Sequence, residues 1–316
     1  LPQELLPGDL IAGGRFNVQC SLCLTKKESD EFDAMILGKK GARALVQWFH
    51  DHGYGNAGAT SGHLIPGYER VLHLGWKGIH ADLVARFNAL PAGEHRGPRG
   101  GQLRAMMTAA TMPRDLAARY AALCRDLAAG ETAAVRKREL EQMADNLERV
   151  PWEPPNNFWE AVQALWLTHM LVMSDENYPG PGVSFGRIDQ YLLPFWEKSL
   201  SEGMDREFGK EILRCFWIKC NHAYDAMIRT GNNGITAGYG QLITLSGMGK
   251  DGADMTNDLT YAMLEVIDEL SPILEPKPNV RLHRGSPDEL LDKVIDMISS
   301  SQGAPFLLNF DERSMA

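Results

Sequence analysis

The chain has 316 residues, 44% of them apolar and 23% charged, with a formal net charge of −9. That length and apolar content can bury a large core, and the acidic balance, with Lys and Arg scattered rather than clustered, excludes a basic nucleic-acid or anionic-membrane face. No apolar run approaches the roughly 20 residues needed to span a bilayer, and no leader pattern opens the sequence, so a cytoplasmic protein is expected. The 5 cysteines form no regular framework, which suits a reducing compartment. The sequence begins at Leu1 and breaks off after "PFLLNFDERSMA", and reads as an internal piece of a longer protein.

Residues 5–35 read as irregular, with short β-like runs broken by Pro and Gly. A helical pattern is expected from about residue 79 onward, after the stretch "TSGHLIPGYERVLHLGWKGIHADL". Apolar residues then recur at three- and four-residue intervals through "QLRAMMTAATMPRDLAARYAALCRDLAAG", predicting a helix kinked at Pro113 and closed by Gly130. "ETAAVRKRELEQMADNLERV" predicts a second helix with a charged face, stopped by Pro151. "FWEAVQALWLTHMLVMSD" and "FGKEILRCFWIKCNHAYDAMI" are apolar nearly all round, as in helices buried on every side. "TNDLTYAMLEVIDEL" and "SPDELLDKVIDMIS" have clear helix starts, the latter with Ser286 and Glu289 placed for a capping box and Pro287 at the first helical position. "QLITLSG" is a short apolar run that fits a buried strand, and "PNVRLH" and "APFLLNF" are short strand candidates before and after the last of these helices. Strands alternating with helices indicate an α/β barrel or wound sheet, mostly α by residue count, and no internal repeat or linker divides it.

Isolated motifs carry little chemistry. Cys20-x-x-Cys23 has no partner pair at zinc spacing, and Cys215 and Cys220 fall in a buried-looking helix, where cysteine packs as a small hydrophobe. His50 and His52 are two apart, a spacing that cannot put both rings on one helix face, so no metal site is expected. His63 differs because its Gly/Ser surroundings can project a side chain into a cavity; a structural role remains an equal alternative. The glycines of "GPGVSFGR" and "GNNGITAGYG" do not open a helix after a strand, which disfavours a nucleotide cradle and suggests loops at a barrel mouth or floor. Arg187 and Asp189 are spaced for a local ion pair.

Taken in order, "SGHLIPGYERVLHLGWKGI", "FWEAVQALWLTH", "VSFGRIDQYLLPFWEKSL", "ILRCFWIKCN", "GYGQLITLSGMGKDGADMTNDLTYAMLEVIDEL" and "PKPNVRLHRGSPDELLDKVIDMISSSQGAPFLLNFDE" resemble the glycyl radical enzymes, the family of pyruvate formate-lyase, glycerol dehydratase and the arylacetate decarboxylases. The resemblance runs through essentially all of residues 1–316. It implies part of a ten-stranded α/β barrel surrounded by helices, forming one incomplete barrel domain.

The resemblance also implies function. Family members pass a backbone glycyl radical to a cysteine inside the barrel, and the thiyl radical attacks the substrate. The matching cysteine loop and radical glycine are expected beyond Ala316, so no catalytic residue is assigned within the piece. A separate iron–sulfur activase using S-adenosylmethionine is the implied radical source, with no cofactor or metal bound directly and a homodimer as the implied assembly. Substrate contacts are expected from His63, Ser184 and Gln241. His63 stands where pyruvate formate-lyase has arginine, which argues against pyruvate, and Gly182 stands where glycerol dehydratase has serine, which puts diol dehydration in doubt. "NNGITAGYGQLITLSG" and "PILEPKPNVRLH" look most like the arylacetate decarboxylase branch, with carbon–sulfur lyases, dehydratases and a non-catalytic relative as alternatives.

Overall fold

The structure is a computed structural model that describes residues 5–13, 64–175, 183–225, 240–273, 275–300 and 306–314. Its helices are α1 (Tyr68–Asn88), α2 (Pro98–Gly130), α3 (Ala134–Arg149), α4 (Phe158–Asp175), the single turn α5 (Ile188–Tyr191), α6 (Leu193–Ser201), α7 (Arg206–Asp225), α8 (Asp258–Glu269), α9 (Asp288–Ser300) and the single turn α10 (Asp311–Ser314). Strands β1 (Leu242–Ser246), β2 (Lys277–Leu282) and β3 (Leu307–Phe310) are interleaved with α8 and α9 and pair in parallel in that order. Parallel strands joined by helical crossovers are the expected consequence of the strand–helix alternation.

The parallel array extends past β1. Gly186 bridges Ile243 and Leu64 bridges Val183, both in parallel sense, and Phe185 N donates to Leu242 O at 2.8 Å. Five parallel strand positions therefore lie side by side: Leu64, residues 183–186, β1, β2 and β3. All three expected strands are present; Ile243 and Leu245 of β1 are buried, and β3 is largely exposed.

One face of this array is apolar and covered by helices. Val183, Phe185, Ile243, Leu245, Val280 and Leu282 join a core with Trp166 of α4, Phe216 and Trp217 of α7 and Met263 of α8, nearly all of them fully buried. Burying each such side chain contributes ~1.5–3 kcal/mol. The other face is half-buried along β1 and β2 and exposed along β3; Thr244, Lys277, Asn279, Arg281 and Asn309 lie on it, together with Leu242 and Leu307. α4 is buried on every side, as its composition demands.

Other expectations are corrected. The helical pattern begins at Tyr68, earlier than about residue 79, and breaks at Gly75 (φ 61°, ψ 167°). That left-handed break frees the amides of Trp76 and Lys77, which donate to Pro151 O and Trp152 O at 2.9 Å each. A side chain at Gly75 would strike this same backbone. α2 runs as one element through Pro113, and Glu131, in extended conformation, is its cap, with Gly130 the last helical residue. α7 is amphipathic: Arg206, Lys210 and Arg214 pair with Glu265 and Glu269 of α8, while Cys215 and Cys220 pack as core. Ser286 Oγ accepts His283 N at 2.9 Å, which redirects the hydroxyl expected to cap α9.

Residues 9–13 lie across α4 and α7, held by side chains where no sheet is available. Trp159 Nε1 donates to Leu10 O at 2.6 Å, Gln163 makes both bonds to the Ala12 backbone, and Lys219 meets Asp9 at 2.6 Å in a buried pair.

Candidate functional site

Polar side chains gather at both ends of β1. At its start, Gln241 is flanked by α4 and α7. Its Nε2 donates to Cys220 O at 2.9 Å, and its Oε1 lies 2.9 Å from His169 Nε2. The first bond fixes the amide orientation, so Oε1 must accept and His169 Nε2 must carry the proton. His169 Nδ1 is then an acceptor, and Tyr68 Oη donates to it at 2.5 Å. The result is a directed chain from Tyr68 through His169 and Gln241 to Cys220 O. His169 also stacks on Phe185, with ring centroids 4.0 Å apart and planes at 26°.

Burial makes this end neutral. His169 is fully enclosed, and desolvation outweighs the Gln241 hydrogen bond to push its pKa down to about 3. Burial likewise raises the Tyr68 hydroxyl well above its ordinary value. Glu275, at 0% exposure, accepts Gly240 N and Gln241 N at 2.9 Å each. Burial raises its pKa to about 7 despite those amides and Lys277.

At the far end of β1 the groups are charged. Ser246 is a non-glycine residue in the left-handed region, at φ 61°, a conformation that persists only when its surroundings hold it. Three contacts do so: Ser246 N donates to Asp189 Oδ2 at 2.7 Å, Arg187 Nη2 donates to Ser246 O at 2.9 Å, and its hydroxyl meets Thr256 Oγ1 at 2.8 Å. The expected Arg187–Asp189 pair is thus replaced by two grips on one residue. Asp189 also accepts Thr260 Oγ1 at 2.6 Å, and burial lifts its pKa to about 6 against these bonds. Beside them, Arg281 Nε donates to Asp311 Oδ1 at 2.7 Å and Asp311 Oδ2 accepts Met248 N at 2.6 Å. Gly247 (φ 89°) lets the chain pass this pair, since a Cβ there would lie 2.7 Å from Arg281 Cβ. His283 Nε2 lies 2.9 Å from Asp254 Oδ1.

Of the residues expected to contact substrate, Ser184 and Gln241 lie on neighbouring strand positions but their side chains point to opposite faces, so they do not share one cavity. Ser184 N donates to Leu64 O at 2.9 Å and its Oγ donates to Gly240 O at 3.3 Å. Ser184 alternates with Val183 and Phe185, which enter the helix-side core, so it belongs to the opposite, polar face. Gln241 points the other way, into the network with His169. His63, Cys20, Cys23, His50 and His52 lie outside the described residues. Among the described residues no group of three potential metal ligands occurs, and no helix is long and apolar enough to cross a membrane. His169, Tyr68 and Glu275 were missed; the one sequence signal was a polar "TH" inside an otherwise apolar helix.

A parallel array with helices on one face, a mostly polar opposite face and polar clusters at its strand ends is an α/β architecture. The model of the family described as "Pyruvate formate lyase-like" matches residues 47–315, and the chain belongs to that family. Isethionate sulfite-lyase from Oleidesulfovibrio alaskensis is 34% identical over 278 residues, covering 85% of this chain and 31% of the relative. Indoleacetate decarboxylase from Tractidigestivibacter scatoligenes is 34% identical over 187 residues, covering 57% of this chain and 20% of the relative. A crystal structure of a glycyl radical enzyme from Archaeoglobus fulgidus is similar with a TM-score of 0.74 at 28% identity, covering 99% of this chain and 45% of that one. The family resemblance read from the sequence therefore holds, and the chain spans about a third of the length of the curated relative it matches over 278 residues.

Proposed function

We propose that the full-length protein is a glycyl radical lyase, and that this chain supplies half of its ten-stranded barrel and part of the wall around a small substrate. In this reading the polar face of the array is the barrel lumen. Thr244, Asn279, Arg281 and Asn309 line it, with Asn309 Nδ2 donating to Asn279 Oδ1 at 2.5 Å. That polar lining is the observation that carries the reading. A small, hydroxylated or anionic substrate suits it better than an indole ring, which needs an apolar slot. The similarity to isethionate sulfite-lyase over 85% of the chain supports carbon–sulfur cleavage, or the related dehydration, as the reaction.

His63 and Ser184 are proposed to contact substrate, and Gln241 to hold the strand start behind them. The radical glycine and the thiyl cysteine belong to the remainder of the protein, and a separate activase using S-adenosylmethionine and an iron–sulfur cluster is proposed to install the radical. A cytoplasmic homodimer completes the proposal. Arylacetate decarboxylation is the second reading, supported by the indoleacetate decarboxylase similarity. A product assay separates them. Anaerobically activated full-length protein is given isethionate, a vicinal diol and indoleacetate in turn. Sulfite or aldehyde release is expected; carbon dioxide from indoleacetate alone would overturn the first reading in favour of the second.

A further inference from the structure

We propose that His169 is the positioning residue that sets Ser184 in the substrate wall, by fixing the alignment of three adjacent strand positions from behind; the proposal rests on the reading that Ser184 faces substrate. Three contacts of one imidazole carry it. Its Nδ1 receives Tyr68 Oη, its Nε2 donates to Gln241 Oε1, and its face stacks on Phe185. Tyr68 follows the Leu64 strand position by four residues, Gln241 immediately precedes β1, and Phe185 lies on the strand between them.

Ser184 crosses the same three strands on the opposite face. Its amide is bonded to Leu64 O and its hydroxyl to Gly240 O. Each of its partners is thus a near neighbour in sequence of a group that His169 holds. Moving either outer strand by an ångström would break a bond to the imidazole and, on the other face, alter the direction in which the Ser184 hydroxyl points.

The chemistry requires an imidazole. The site demands one acceptor and one donor on opposite edges of a flat ring that can also stack, without a net charge in an enclosed space. A neutral histidine meets all of these demands. Phenylalanine keeps the stack and loses both bonds. Glutamine can restore the bond to Gln241 without the stack.

The test uses the full-length protein, anaerobically activated. In His169→Phe, KM for whichever of isethionate, the diol or indoleacetate is turned over should rise about tenfold, the loss expected for one hydrogen bond, with little change in kcat. Ser184→Ala should give a similar rise, and the double variant should be no worse than Ser184→Ala alone, because His169 acts through that hydroxyl. Tyr68→Phe, which removes one hydroxyl from the core, should reproduce part of the effect if His169→Phe folds poorly. Multiplying effects in the double variant, about a hundredfold in KM, would overturn the proposal. Hydrogen exchange gives the second measurement: the Ser184 and Gln241 amides should exchange faster in His169→Phe, with α3 unaffected. Unchanged exchange at Ser184 would overturn the positioning role whatever the kinetics. If no probe is turned over by wild-type protein, the functional reading fails, and the exchange result still decides the positioning of Ser184.

Discussion

The two ends of β1 solve the same problem with different chemistry. At the start, Glu275 accepts the Gly240 and Gln241 amides, and the surrounding groups are a phenol, a neutral imidazole and a carboxamide. At the finish, Asp189 accepts the Ser246 amide, and the surrounding groups are guanidiniums and carboxylates. Carboxylates at both ends are enclosed, Glu275, Asp189 and Asp311 alike, and the difference lies in the cations beside them. Arg281, 18% exposed in its side chain, pairs directly with Asp311, whereas His169 is fully enclosed and, among the described residues, has no carboxylate against its ring. Buried charges persist in this chain where an opposite charge meets them, as Arg281 meets Asp311 and Lys219 meets Asp9. The His169 end, enclosed without such a partner for the imidazole, uses directed neutral hydrogen bonds, because an unpaired buried charge costs several kcal/mol.

Glu275 anchors the start of β1. Replacing it with alanine leaves two enclosed amides without their acceptor, and a loss of about 2–4 kcal/mol is expected by urea unfolding. A loss below about 0.5 kcal/mol would mean that the strand start is not anchored there.

The same carboxyl makes stability depend on pH. Burial raises the folded pKa of Glu275 from 4.5 to about 7, so the native state holds a proton that the unfolded chain has released. Its stabilising contribution is present below about pH 4.5 and is lost as pH rises through about 7, amounting to ~3 kcal/mol at most. Glu275→Gln cannot ionise, so its urea midpoint should fall less than that of wild type between those values. Parallel curves for the two proteins would contradict the assignment.

Asp189→Asn tests the charged end with the smallest expected change, about 1 kcal/mol at pH 5 from a weakened bond to Ser246. Because the Asp189 pKa is raised to about 6, wild type loses stability on ionising while the variant does not. The difference should therefore narrow as pH rises from about 3.8 through about 6 and stay level above that. A widening gap would show that the carboxylate is stabilised by Arg187 more than it is penalised by burial.

Much of this fold was legible in the sequence, and the reasons are local. Short apolar runs placed between helices marked β1, β2 and β3, and the heavy apolar load of "FWEAVQALWLTHMLV" marked a helix with no exposed side. The long-range pairs were not legible. Lys219 and Asp9 are separated by 210 positions, and His169 and Gln241 by 72, and no spacing rule brings such residues together. The break at Gly75 was hidden because glycine within a helical pattern does not say whether it will turn. Ser184 was legible only through the family resemblance; its placement on the polar face follows from Val183 and Phe185, whose apolar character fixes the alternation. The positive φ of Ser246 has no local signal, since it is imposed by Arg187, Asp189 and Thr256 from other elements.

The central claim is that this half-array belongs to an enzyme that works by a protein-based radical. Electron paramagnetic resonance tests it directly. Full-length protein incubated anaerobically with its activase, S-adenosylmethionine and a reductant should develop an organic-radical signal that oxygen destroys, with cleavage of the chain near its C-terminus. Turnover in air by metal-loaded protein, with no radical signal and no activase, would contradict the account and return attention to Cys20, Cys23, His50 and His52 as ligands.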